Sequence, residues 1–203
     1  MGVVLATTED TWRATFQRSG VKYQEPKLVL FRNRTQTACG LGDAGMGPFY
    51  CPGDQNVYLD FKFFQELRRE FKADGDFAQA YVIAHEVGHH VQNLLGTMEK
   101  VQRLQQQVGE AQSNQLSVRL ELQADCFAGV WANYVKKQNK LEVGDVEEAM
   151  RAAQAVGDDM IQRRTQGYVV PDSFTHGSAK ERMTWFTKGF QTGDARQCNT
   201  FGR

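Results

Sequence analysis

Residues 77–95 are a largely apolar stretch with ionisable side chains set into it at helical spacing, and they constrain this chain more than any other segment. Phe77-Ala78-Gln79-Ala80-Tyr81-Val82-Ile83-Ala84 runs straight into His85-Glu86-Val87-Gly88-His89-His90, and Val91, Leu94 and Leu95 continue the apolar face. A solvated helix does not carry such a sequence, so His85 and His89 belong at or below the surface, where ionisable groups need partners. Positions four apart share one helix face with Cβ atoms roughly 6 Å apart, so two imidazoles can meet on a single cation. In the H-E-x-x-H order, Glu86 stands beside the first histidine and can act as general base on a metal-activated water. These donors suit Zn²⁺ and metal-assisted hydrolysis, most often of a peptide bond. Gly88 costs about 1 kcal/mol against Ala in a helix interior, which predicts a close neighbour at that point. His90 projects about 100° away from His89 and reads as a surface residue or a support behind the site, not as a ligand.

Catalytic zinc takes three protein ligands and keeps one position open. The residues after His89 lack the glycine and third histidine of the metzincin extension, so the third donor lies elsewhere. Glu121 and Asp125 fall four apart within Leu116, Leu120, Phe127, Val130 and Trp131. Acidic side chains on a core-facing helix call for a reason. Glu121 as metal ligand supplies one, and Asp125 can accept the second N–H of a ligating histidine. His176, at the entry to the last helix, is the candidate donor to an oxyanion, with Arg182 orienting it or an acidic neighbour. A third-ligand role for His176 is the competing assignment.

Composition sets the class. Lys+Arg and Asp+Glu are 24 each and no basic tract occurs, which argues against nucleic acid as a partner. The apolar runs are too short to span a bilayer, and the first residues do not form a signal peptide. Residues 1–203 are expected to form one domain with a sizeable core. Cys39, Cys51, Cys126 and Cys198 match no metal-binding or redox spacing. Pairing as Cys39–Cys51, around a Gly/Pro-rich loop, and Cys126–Cys198, tying the tail to a helix, implies an oxidising compartment. Four reduced thiols in a cytosolic enzyme are the alternative.

Local signals predict helices over Thr8–Arg18, from an Asp60 cap to Phe71 (with Phe61, Phe64, Leu67 and Phe71 on one face), and from an Asp76 cap to a C′ residue at Gly96. They predict further helices over 97–108, from a Ser113 cap to Lys137, over 145–156 and over 178–190, and leave 157–166 unassigned. Strands are expected at Lys27–Phe31 and Gln55–Asp60, a loop or irregular hairpin over 37–52, a turn over Ala73-Asp74-Gly75-Asp76 and a loop over 167–175. The fold class is therefore α+β, mainly helical, with a small N-terminal sheet.

The residues Ala6-Thr7-Thr8-Glu9-Asp10-Thr11-Trp12, Met46–Pro52, Asp74–Gln79, His85–His90, Glu121–Trp131, Val170–Gly177 and Gln197–Gly202 resemble the bacterial YpfJ-like family of neutral zinc metallopeptidases. The resemblance spans nearly the whole chain. It implies a zincin-like metalloprotease domain holding one Zn²⁺ at His85 and His89 with Glu86 catalytic. It also implies an ectodomain that follows a membrane-spanning helix, on the periplasmic or extracellular face of a bacterial membrane. A more distant likeness is to membrane gluzincins of the CAAX-prenyl-protease type. These pair the motif with a later E-x-x-x-D, here Glu121 and Asp125, and with a Thr-His-Pro segment whose arginine follows six residues on, here Thr175-His176-Gly177 and Arg182. Glycine replaces the proline, and the gap from His89 to Glu121 is short.

The resulting expectation is a zinc endopeptidase acting on a peptide or protein. Strand 55–59 would be a free edge for an extended substrate, and Tyr50 and Tyr58 would be core aromatics in preference to cleft residues. The rival expectation is a zinc-containing binding or scaffold module with little turnover, which needs the ligands but neither Glu86 nor His176. Nothing in the chain signals an oligomeric state.

Overall fold

Helix α1 spans Gly2–Arg18 and buries Thr7, Thr8, Thr11, Trp12 and Phe16 along one stripe; it starts six residues before the position the sequence signals. The computed structural model describes residues 1–71 and 75–202, with the side chains of Met46, Glu66, Leu67, Glu70 and Phe71 outside the description. The expected turn residues Ala73 and Asp74 thus lie outside the described residues, as do the side chains of the expected apolar positions Leu67 and Phe71.

All the strands among the described residues fall between 27 and 60. Strand β1 (Lys27–Phe31) is followed by β2 (Arg34–Thr37) and β3 (Gly40–Asp43), which pair antiparallel as a hairpin with Thr37 opposite Gly40. Strands β4 (Phe49–Cys51) and β5 (Asn56–Asp60) complete a three-stranded sheet of order β1-β5-β4. In it β5 runs parallel to β1 (Val29 opposite Tyr58) and antiparallel to β4 (Tyr50 opposite Val57). The expected free edge at 55–59 is therefore corrected: β5 is the central strand, with both backbone faces of its ladder occupied, and the edges are β1 and β4. Tyr50 and Tyr58 are core residues, as expected.

The remaining elements are helical: α2 (Phe61–Phe71), α3 (Asp76–Leu94), α4 (Thr97–Gln105), α5 (Glu110–Lys137), α6 (Asp145–Ala155), α7 (Asp158–Gln166) and α8 (Ala179–Thr192). The chain is mainly helical with a small sheet, an α+β fold. Asp60 starts α2 by accepting the Lys62 N–H, as its position predicted. Asp76 does not cap α3. The cap position is Gly75, and the Phe77 N–H is met by the Glu148 carboxylate reaching over from α6. Gly96, at φ 71°, ends α3 in the left-handed region that favours glycine. Ser178 and Glu181 form a reciprocal capping box at the start of α8.

Helices α3 and α5 form the centre of the molecule, with Phe77, Tyr81, Ala84, Ala128, Trp131 and Phe186 in one packed cluster. Trp12, Tyr50, Val87, Val91 and Phe127 form a second. Gly88 has the close neighbour its cost predicted: a Cβ there would lie 3.0 Å from the Ala124 carbonyl oxygen of α5. Helices α5 and α8 approach still more closely. A Cβ on Gly129 would lie 2.1 Å from the Phe186 oxygen, and one on Gly189 would lie 1.9 Å from the Cys126 oxygen.

Both expected disulfides are present, Cys39–Cys51 and Cys126–Cys198, with Cα–Cα separations of 5.8 and 5.5 Å. They point to an oxidising environment such as the periplasm or the cell exterior. No helix among the described residues is long and apolar enough to cross a membrane.

Candidate metal centre

Helix α3 buries one flank against α5, and its second half carries His85, Glu86 and His89. These face Glu121 on the neighbouring helix. His85 Nε2 lies 3.1 Å from Glu121 Oε2, and His89 Nε2 lies 3.3 Å from Glu121 Oε1. The two rings are 4.8 Å apart between centroids and nearly perpendicular. These three side chains form a group whose donor atoms all lie within 4.8 Å of one another. Donors bound tetrahedrally to zinc at 2.0–2.1 Å stand about 3.3 Å apart, which is the spacing of the two His–Glu pairs.

The other face of each imidazole is held. His85 Nδ1 lies 2.9 Å from Asp125 Oδ1, and His89 Nδ1 lies 2.9 Å from Gln92 Oε1. A carboxylate and an amide oxygen only accept, so both Nδ1 atoms donate, and in the neutral imidazoles that bind a metal both Nε2 lone pairs would face inward. The donor set therefore fits a zinc ion: two neutral imidazoles and one carboxylate, with their tautomers set from behind.

Asp125 is fully buried and is matched by Arg182, whose Nε donates to Oδ2 at 2.8 Å and whose NH2 group donates to Oδ1 at 3.1 Å. The Tyr81 hydroxyl donates to the same Oδ1. Arg182 also donates to the Val156 carbonyl at 3.1 Å. Of the two neighbours the sequence left open for Arg182, its hydrogen bonds run to the acidic one, Asp125. His176 is oriented by a different residue. Asp158 Oδ2 accepts the backbone N–H groups of Thr175, His176 and Gly177, while Oδ1 lies 3.2 Å from His176 Nδ1. His176 remains half-exposed and does not belong to the three-donor group.

Electrostatics follow from this arrangement. Burial opposes a charged His85, but the Asp125 and Glu121 carboxylates outweigh it and hold its pKa up at about 10. His89 is likewise raised: burial works against the shift and Glu121 prevails. Burial pushes Glu121 up, yet His89 and His85 hold it well below the usual carboxylate range. Asp125 is lowered because Arg182 and His85 outweigh its burial. Glu86 behaves differently. Burial raises it and the histidines only partly offset the shift, so this carboxylate favours taking a proton. The protons on the two histidines are the ones a metal would displace.

His90 is neither a ligand nor a surface residue. It is fully buried, with Nε2 donating to the Gln24 carbonyl at 2.6 Å and Nδ1 facing the Tyr50 hydroxyl at 3.0 Å. The sequence did not single out Tyr81, Gln92, Gln123 or Asp158 for roles at the site. Tyr81 stands four residues before His85 on the same face, a signal that periodicity carries. Gln92 likewise stands three residues after His89 on the same helix, whereas Gln123 and Asp158 act through partners distant in the chain.

A family model described as "Putative neutral zinc metallopeptidase" matches residues 1–201. The uncharacterized protein YpfJ of Escherichia coli K12 is 59% identical over 201 residues, an alignment covering 99% of this chain and 70% of YpfJ. The uncharacterized protein Rv2575 of Mycobacterium tuberculosis H37Rv is 47% identical over 190 residues, covering 88% of this chain and 63% of that protein. No solved structure matches. With residues 1–201 matched by that model and 59% identity to YpfJ, the chain belongs to the family described as "Putative neutral zinc metallopeptidase".

Proposed function

We propose that this chain is a zinc-dependent endopeptidase domain, with one Zn²⁺ held by His85, His89 and Glu121. The observation that carries the reading is the convergence of these donors from two helices, their Nδ1 atoms and Glu121 turned to complementary partners. Zinc in such a site polarises a carbonyl and lowers the pKa of water towards about 7. Glu86, buried and raised in pKa, takes the proton of the attacking water and passes it to the leaving amine. His176, whose protonated form Asp158 favours, donates to the oxyanion that develops on the scissile carbonyl. Arg182 and Tyr81 hold Asp125, which holds His85. The domain spans residues 1–203, has a zincin-like arrangement with α3 as its active-site helix, and works on peptides or proteins on the periplasmic or extracellular side.

Glu86→Gln tests this reading against that of a zinc-holding scaffold. The substitution keeps size and hydrogen bonding but removes the base. Cleavage of an unfolded protein substrate should fall at least about 100-fold while bound zinc stays stoichiometric. Undiminished cleavage with full zinc would exclude Glu86 as the base. Absence of cleavage by the unaltered, zinc-loaded chain across a broad peptide library would favour the scaffold.

A further inference from the structure

Gln92 and Gln123 are primary amides buried between α3 and α5. Such groups are costly unless every polar atom is matched. Two backbone carbonyls determine which way round each amide sits. The Leu120 oxygen can only accept, so the Gln92 atom 2.7 Å away is its NH2 group. Gln92 Oε1 is thereby turned to His89 Nδ1 at 2.9 Å. The Cys198 oxygen does the same for Gln123, taking its NH2 group at 2.9 Å and leaving Gln123 Oε1 to accept the second Gln92 N–H at 3.1 Å. The directions agree along the whole chain of bonds, from His89 through Gln92 and Gln123 to the Cys198 carbonyl. Cys198 is covalently bound to Cys126 on α5, five residues beyond Glu121. The two histidines are thus held differently: His85 by a charged carboxylate, His89 by a neutral amide whose orientation is set at the C-terminal crosslink.

We propose that Gln92 and Gln123 are positioning residues for His89, and that through them metal retention depends on the Cys126–Cys198 bridge. This rests on the assignment of the metal to His85, His89 and Glu121. Losing the relay frees His89 to adopt the tautomer, or the ring orientation, that turns its Nε2 lone pair away from the metal.

The test uses the full chain and measures zinc affinity by competition with a chromophoric chelator, alongside the visible absorption of the cobalt-loaded protein and far-UV circular dichroism. Gln92→Leu should weaken zinc binding by roughly 10–100-fold and alter the cobalt bands, with helicity retained. Gln123→Leu leaves the Gln92–Leu120 bond in place, so it keeps the test alive if the first variant misfolds; it should weaken binding by roughly 10-fold. The Cys126→Ala/Cys198→Ala pair should act in the same direction, and Cys39→Ala/Cys51→Ala should not. Zinc affinity within twofold of the parent for both glutamine variants, with Glu121→Ala abolishing binding, would overturn the relay alone. Unchanged affinity in the cysteine 126/198 variant would overturn its link to the bridge. Full affinity in Glu121→Ala would instead overturn the ligand assignment beneath it.

Discussion

Replacing Gly129 by alanine separates two effects of opposite sign. On helix propensity alone, Ala in place of an interior Gly stabilises by about 1 kcal/mol. The structure gives the opposite net result. The added Cβ would stand 2.1 Å from the Phe186 carbonyl oxygen, against a normal C···O contact of about 3.3 Å. The obstacle is backbone on a packed helix, so α5 and α8 must part by about 1 Å. Overpacking of this kind costs about 1–3 kcal/mol. The same movement stretches the 2.8 Å Arg182–Asp125 bond beyond hydrogen-bonding range, and a charge-assisted bond contributes about 1.5–3 kcal/mol. Net of the propensity gain, Gly129→Ala should destabilise by about 1.5–5 kcal/mol. Urea unfolding followed by circular dichroism should show a lower midpoint at unchanged slope, and thermal scans a Tm lower by about 5–15 °C. Gly88→Ala is the comparison. Its Cβ would meet Ala124 at 3.0–3.3 Å, a deficit of a few tenths of an ångström, so its stability should stay within about 1 kcal/mol of the parent. A Gly129→Ala protein as stable as the parent, or more so, would refute the backbone-contact argument.

Two further outcomes follow. Asp158 raises the His176 pKa above its ordinary 6.5, mainly through their hydrogen bond, so the protonated donor is present below that raised value and is lost as pH climbs through it. Asp158→Asn removes the charge but keeps an acceptor for the backbone N–H groups; the alkaline limb of kcat/KM should move to lower pH, and an unmoved limb would remove His176 from the rate profile. Cys126 and Cys198 close a span of 72 residues and Cys39 and Cys51 one of 12, so loop entropy assigns about 4.5 and 3 kcal/mol to the two bridges. Urea unfolding of the two double Cys→Ala variants should show the larger loss for 126/198; the reverse order would mean that strain or residual structure outweighs loop closure.

Much of the fold was legible because the signals were local. The apolar run with its embedded H-E-x-x-H, the Ser178–Glu181 box, Asp60 and Gly96 all report on neighbours within one or two turns. Glu121 and Asp125 were legible because carboxylates amid leucine and tryptophan require partners. Helix α7 escaped because Asp158-Asp159-Met160-Ile161-Gln162-Arg163-Arg164-Thr165-Gln166 has no apolar stripe, and its one buried residue is the charged Asp158. Strand β5 was misread as an edge because its two partners are chosen by pairings across 29 residues of sequence to β1 and 5–9 to β4, which a single strand's pattern does not encode. The cap of α3 by Glu148 and the Gln92–Gln123 pair were hidden for the same reason.

Between Leu120 and Cys126, fewer than two turns of α5 supply a carbonyl for Gln92, the Glu121 carboxylate, Gln123, Asp125 and half of a crosslink. Five duties are thereby locked to one screw axis, so rotating or sliding that segment displaces all of them together. A residue inserted there would turn everything beyond it by about 100° and dismantle the assembly at a stroke, whereas extra length in the 106–109 connector, which carries none of these duties, would leave the assembly in register.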